Sequence, residues 1–297
     1  MHEFEFHSPR TLEEACELLK KHNGTARVLA GGTDLIPDMY HHKIAPGHII
    51  NIKKIPGLNR ITYDSSKGLT IGALTKFNEI IFSETVKNSY PILVELTSKI
   101  ASHQIRNLAT IGGNLCNAAP SADSAPSLIA MDSFVSIIGC EGKRRTLPLE
   151  KFFVGPGITA LEPGEILTKI HIPPLKSCTG MTYIKHTTRR ALEIAVVGVA
   201  VLVQLEKDTD KCNHARIVIG ACASTPLRIR QAEEILVGKK IGEKDIEASA
   251  EAASKAVAPI TDIRGSDYYR REIVKIQCKR ALEEALPRAY SIKAVEA

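Results

Sequence analysis

Apolar and polar positions alternate along the chain in two rhythms, and the order of those rhythms changes once. Near the start, Phe4-Glu5-Phe6 reads as a short strand. "SPRTLEEACELLKKHNG" then carries a helical period, with Leu12, Ala15, Leu18 and Leu19 on one face. Thr11 and Glu14 have capping-box spacing, and Gly24 suits a helix stop. "ARVLAGG" returns as a strand, so the first 35 residues read as strand–helix–strand. "HIINI" is another strand, closed by Pro56-Gly57, and "ITYDSSKGLTIGAL" alternates around a turn as a hairpin does. Residues 77–101 carry helical patterning with a break at Pro91, and "SFVSIIG" and "EILTKIHIP" are strands.

After Pro173-Pro174 the order changes. "MTYIKHT", "IAVVGVAVLVQLE" and "HARIVIGACA" read as three successive strands, and helices follow near 227–237, 243–257 and 267–286. Strands first and helices afterwards predict an α+β domain rather than a parallel sheet. Two domains are therefore expected, residues 1–176 and 177–297, with no internal repeat or low-complexity segment.

Composition narrows the classes. The chain has 297 residues, 44% hydrophobic and 24% charged, as in an ordinary globular protein. Its formal net charge of +6 is spread out, in short clusters such as Lys143-Arg144-Arg145 and Arg189-Arg190 that read as solvated surface. Trp is absent and aromatics make up 5%, so platforms for stacking bases are scarce and nucleic acid is not an expected partner. The 7 cysteines are dispersed, with no C-x-x-C pair. That argues against a disulfide framework, a zinc ribbon or an iron–sulfur cluster within the chain, and for a reducing compartment. "MHEFEFHSPR" lacks the apolar core of a signal peptide, and no run is long enough to span a membrane. The expected location is cytoplasmic.

Two glycine-rich stretches carry the candidate chemistry, "RVLAGGTDLIP" and "NLATIGGNLCNAAPSADSAP". Each has an apolar approach, a Gly-Gly pair and then small or hydroxyl-bearing residues. Gly112 and Gly113 lack a Cβ, so their amides can lie against a phosphate oxygen, with Thr110 and Asn114 as added donors. Two such loops in one domain could grip both phosphates of a pyrophosphate, while either alone fits a tight turn. Neither matches G-x-G-x-x-G or the P-loop. His41-His42, read on a strand, point apart and suggest surface rather than metal. Cys116 beside the second pair reads as a small buried residue more readily than as a redox thiol. No nucleophile elbow is present.

Together, "LAGGTDL" and "HQIRNLATIGGNLCNAAPSADSAP" resemble the flavoprotein subunits of the molybdenum hydroxylases, most of all those of bacterial xanthine dehydrogenases. The resemblance spans nearly the whole chain, through "LTIGALTKFNEI", "VGPGITALEPGEILTKIHIP" and the strand-then-helix C-terminal third. It implies an α+β protein. An FAD-binding domain of the vanillyl-alcohol oxidase type, made of two α/β subdomains, would precede a C-terminal α+β domain with a three-stranded antiparallel sheet and helices. By this likeness Arg27, Val28, Leu29, Ala30, Gly31, Gly32, Thr33 and Asp34 form one loop at the FAD pyrophosphate. Ala109, Thr110, Ile111, Gly112, Gly113 and Asn114 form the other. Asp123 falls at an acidic position that meets the adenosine part, and either Ile166 or Leu167 holds the adenine through its backbone. Lys185 falls where the family keeps a lysine near the flavin ring, where a cation favours anionic reduced flavin. Ile100 and Ala101 fall where animal relatives place an aromatic residue on the ring; here the contact would be aliphatic.

The implied activity is electron transfer. In the family, a large partner subunit with a molybdopterin cofactor oxidises a purine, another heteroaromatic compound or an aldehyde. Electrons pass through a small partner subunit with 2Fe–2S clusters to FAD on this chain, and then to NAD+ or another acceptor. No histidine lies in either glycine loop, so FAD is expected to be non-covalent, and no metal or cluster is expected on the chain itself. Two rivals remain: a self-contained flavin oxidase, for which no convincing substrate-facing acid or base is evident, and a nucleotide-binding module without flavin.

Overall fold

The computed structural model describes residues 2–189 and 193–295, so Arg190 of the second basic cluster lies outside the described residues. The chain divides into two compact units, residues 1–118 with 134–172, and residues 119–133 with 173–297.

The first unit opens with β1 (Glu5–His7), α1 (Leu12–Lys21), β2 (Ala26–Leu29), α2 (Leu35–Tyr40) and β3 (His48–Asn51). The strands form a parallel sheet in the order β1-β3-β2. Parallel neighbours need a crossover, and α1 supplies it. Thr11 caps α1 by accepting the Glu14 amide at 3.2 Å, while the Glu14 carboxylate accepts the Arg10 amide at 2.9 Å. Ala15 and Cys16 bury one face of α1 against Ile50 and Ile52. Helix α2 has no counterpart in the sequence reading because Pro37 argues against it. Pro37 stands at the third helical position, where an amide has no intrahelical acceptor, so the proline costs little. In consequence His41-His42 follow a helix rather than sitting on a strand, and both are exposed.

The same unit continues with the hairpin β4 (Ile61–Asp64) and β5 (Gly68–Gly72), whose turn Asp64 closes by accepting the Ser66 and Lys67 amides. Short helices follow: α3 (Phe77–Phe82), α4 (Glu84–Ser89), α5 (Pro91–Ser98), α6 (His103–Arg106) and α7 (Ile111–Asn117). Pro91 begins α5, as expected, and Ser83 adds a second break by capping α4. After α8 (Ser124–Ala130), which groups with the other unit, come β6 (Phe134–Ile138), β7 (Arg144–Pro148), β8 (Phe153–Gly155), β9 (Ile158–Thr159) and β10 (Ile166–Ile172). The larger sheet has the order β4-β5-β10-β6-β7 and is antiparallel throughout. Arg145 is not simple solvated surface: it grips Glu165 through two bonds of 2.7 and 2.6 Å.

The second unit holds β11 (Thr179–His186), β12 (Val197–Leu205) and β13 (Cys212–Gly220), the three expected antiparallel strands. A two-residue edge strand, β14 (Leu227–Arg228), extends the sheet to four. Helices α9 (Arg230–Leu236), α10 (Glu243–Ala256) and α11 (Asp267–Val295) complete it. Gly180 lets α11 lie close on β11, because a Cβ there would overlap the Ala285 carbonyl. Helix α8 is buried along its whole length and packs on β12 and β13, with Pro126 against Gly220. All seven of its residues are buried, Ser124 and Ser127 included.

Candidate functional site

A cleft of about 680 Å³ runs through the first unit, in the size range of cofactor pockets. The loop leaving β2 forms one wall, with Arg27, Val28, Ala30, Gly31, Gly32, Thr33 and Asp34 lining it. Leu29, in the same stretch, turns away and is buried with Met39 and Ile49. Gly32 has φ +76, a conformation that side chains other than glycine adopt at a cost. The amides of residues 31–34 donate in none of the turn, loop or side-chain hydrogen bonds of the described residues. They are donors left over for something else. Arg27 is the sole lysine or arginine on the cleft wall among the described residues, so an anion there depends on backbone donors more than on cations.

The loop before α7 forms the facing wall through Ala109, Thr110, Gly112, Gly113 and Asn114, while Ile111 is buried. Its donors are already used. The Ile111 amide donates to Thr75 O at 3.0 Å and the Gly112 amide to Ala73 O at 2.9 Å. The Gly113 amide donates to the Thr110 hydroxyl at 3.1 Å, and the Asn114 amide to Thr110 O at 3.0 Å. The expectation that the Gly112 and Gly113 amides face a phosphate therefore needs correcting: both are spent on the chain itself. Their missing Cβ atoms have a packing role. A Cβ on Gly112 would stand 2.6 Å from Ala73, and one on Gly31 would overlap the Leu108 carbonyl. The two loops touch, and glycine is what lets them.

Ile166 and Leu167 both line the cleft from the start of β10. Ile100 and Ala101 do not line it; they form the turn between α5 and α6, where the Arg106 guanidinium donates to both carbonyls. Cys116 is on the wall, and burial pushes its thiol up to about 12, so it stays protonated near neutral pH. Sequence reading missed Asn117, Gly157, Thr159 and Leu161, which also line the cleft. They lie within the quoted stretches that carry the resemblance, but no residue type among them singled them out.

Asp123 and Lys185 belong to the second unit and meet each other. The Lys185 ammonium donates to one Asp123 oxygen at 2.8 Å, and the Tyr183 hydroxyl donates to the other at 2.8 Å. Burial raises the Asp123 pKa against the opposing pull of Lys185 and Tyr183, and it raises that of Tyr183 as well, with Asp123 adding to the effect. This pairing leaves room for only one of two expectations, Asp123 at the adenosine or Lys185 at the flavin ring. Groups in direct contact cannot serve opposite ends of one FAD.

Residues 2–175 match the family described as the FAD binding domain in molybdopterin dehydrogenase, and residues 182–285 match the CO dehydrogenase flavoprotein C-terminal domain. The xanthine dehydrogenase FAD-binding subunit of Escherichia coli O157:H7 is 34% identical over 285 residues, covering 96% of this chain and 96% of that one. The chain belongs to the FAD-binding medium subunits of the molybdenum hydroxylases. The carbon monoxide dehydrogenase medium chain of Hydrogenophaga pseudoflava is a relative at 35% identity over 285 residues, covering 96% and 98% of the two chains. A solved structure of that organism's carbon monoxide dehydrogenase superposes with a TM-score of 0.93 at 34% identity, covering 97% and 98%. As an FAD-binding medium subunit, the chain is one component of a multi-subunit oxidoreductase.

The first unit fits FAD on its own geometry. The cleft is large enough, and four unspent consecutive amides point to an acceptor-rich ligand such as a pyrophosphate. The close contact of Gly31 with residues 108–109 keeps the two walls together.

Proposed function

We propose that this chain carries electrons in a heteromeric, xanthine dehydrogenase-like molybdenum hydroxylase of the cytoplasm. A large partner subunit with molybdopterin would oxidise the substrate, a small partner subunit with 2Fe–2S clusters would pass the electrons on, and NAD+ would accept them. Non-covalent FAD supplies the redox chemistry when bound; the protein supplies position and electrostatics. The observation that carries the reading is the run of unspent amides at residues 31–34, which line the cleft. In this proposal they hold the pyrophosphate, the second loop sets the shape of the wall, and a backbone group of Ile166 or Leu167 meets the adenine. The FAD-binding part is taken as residues 1–176. Lys185, with Asp123 as its counter-ion, is assigned to the flavin ring. The xanthine-like substrate class rests on the similarity to the Escherichia coli subunit; the similar identity of the carbon monoxide dehydrogenase chain makes it the part most exposed to test.

A visible spectrum of the purified chain, before and after acid precipitation and with and without NADH, tests the proposal. Flavin released by acid and bleached by NADH is the expected result. Flavin that NADH does not bleach even in the complete complex would overturn NAD as acceptor. Lys185→Ala is expected to lower the flavin reduction potential with modest loss of FAD; an unchanged potential would leave Lys185 as a partner of Asp123 alone.

A further inference from the structure

His7, His22 and His48 stand far apart in the sequence, and the fold brings them to one place in the first unit. His7 ends β1, His48 begins β3, and His22 is the C-cap of α1. Helix α1 runs back along the sheet, which returns its C-terminus to the end where β3 starts. One nitrogen from each of the three rings lies within 4.8 Å of the others. Glu5, the register partner of His48 on β1, adds a carboxylate oxygen.

The distances have the size of a coordination shell. His7 Nε2 and His48 Nδ1 are 3.2 Å apart. Glu5 Oε2 is 3.6 Å from the first and 3.5 Å from the second. Four ligands arranged tetrahedrally around zinc, with bonds of about 2.0–2.1 Å, stand about 3.4 Å from one another. The three atoms therefore already form one face of such a tetrahedron. His22 lies beside the group, its ring centroid 3.6 Å from that of His48 with the planes tilted by 32°, and one of its nitrogens is within 4.8 Å of the other two imidazole donors. A hydrogen bond between two neutral rings would explain His7 and His48 alone. It leaves unexplained why a third imidazole and a carboxylate oxygen converge on the same point.

We propose that His7, His22 and His48, with Glu5, bind one Zn2+ ion. Three imidazoles and a carboxylate suit this borderline cation better than hard cations such as Ca2+ or Mg2+, which take oxygen ligands. All the donors come from protein, which makes the site a closed, structural one. Bound metal would tie β1, β3 and the end of α1 together, the frame from which the first glycine loop departs.

The test is metal analysis of the full chain after equilibration with Zn2+ and gel filtration, with Co2+ as spectroscopic probe. The expected result is one Zn2+ per chain and a tetrahedral Co2+ spectrum without thiolate charge-transfer bands. His7→Gln/His48→Gln, which removes two of the four ligands, should abolish stoichiometric binding, and Glu5→Gln should weaken it measurably. Exposed His41→Gln/His42→Gln should leave binding unchanged and controls for histidine content. Circular dichroism and retained FAD check that the variants fold. Absence of stoichiometric Zn2+ on the unaltered chain, or its full retention in folded His7→Gln/His48→Gln, would overturn the proposal. His22 also lines the cleft, so the metal analysis is made on the chain with and without FAD.

Discussion

The two glycine-rich loops are written alike and do different work. Ala30-Gly31-Gly32-Thr33 and Ile111-Gly112-Gly113-Asn114 both place a glycine pair between an apolar approach and a small polar residue. In the first, the amides of residues 31–34 are unspent and Gly32 holds a left-handed conformation. In the second, every amide from 111 to 114 has an acceptor within the chain, and none of the glycines has a positive φ. The first loop is built to donate outward. The second is built to stand still, tied by Ala73, Thr75 and the Thr110 cap. A glycine pair thus indicates close approach, and the accounting of backbone donors tells whether a ligand or the protein itself is approached.

The comparison can be broken by substitution. The largest effects are expected from Gly31→Val and Gly112→Val, since both insert bulk where backbone meets backbone. Each should cost about 3 kcal/mol of stability in urea unfolding and abolish stoichiometric FAD, because the walls separate. Tight FAD binding by either variant would show that the walls need not touch. Gly32→Ala is intermediate. Its φ of +76 imposes about 1–2 kcal/mol of strain and turns the neighbouring amides, so FAD affinity by equilibrium titration should fall roughly tenfold. Thr110→Val should be mildest toward FAD. It removes the acceptor of the Gly113 amide and costs about 1 kcal/mol of stability, with affinity kept within about threefold. If Thr110→Val harmed FAD binding more than Gly32→Ala, the roles assigned to the two loops would have to be exchanged.

Periodicity made much of this fold legible. The capped α1, the hairpin turning at Asp64, the break at Pro91 and the three long strands of the second unit all rest on neighbours a few residues apart. What escaped depends on distant partners. The second loop's amides are spent on residues 73 and 75, which no local pattern could announce. The Asp123–Lys185 pair spans 62 positions, and the three histidines gather only because a helix returns beside a parallel sheet. Helix α2 escaped for a local reason, since Pro37 is unfavourable everywhere in a helix except its first turn. The cleft residues Gly157 and Thr159 lie in a stretch that carried the resemblance, yet nothing in their residue types marked them as cleft wall.

The most direct test of the account is amide hydrogen exchange, resolved to single residues, on the chain with and without FAD. The account predicts that the amides of residues 31–34 exchange freely without FAD and become protected when it binds. Those of residues 111–114 should be protected in both states. New protection confined to 111–114, with 31–34 unchanged, would contradict it.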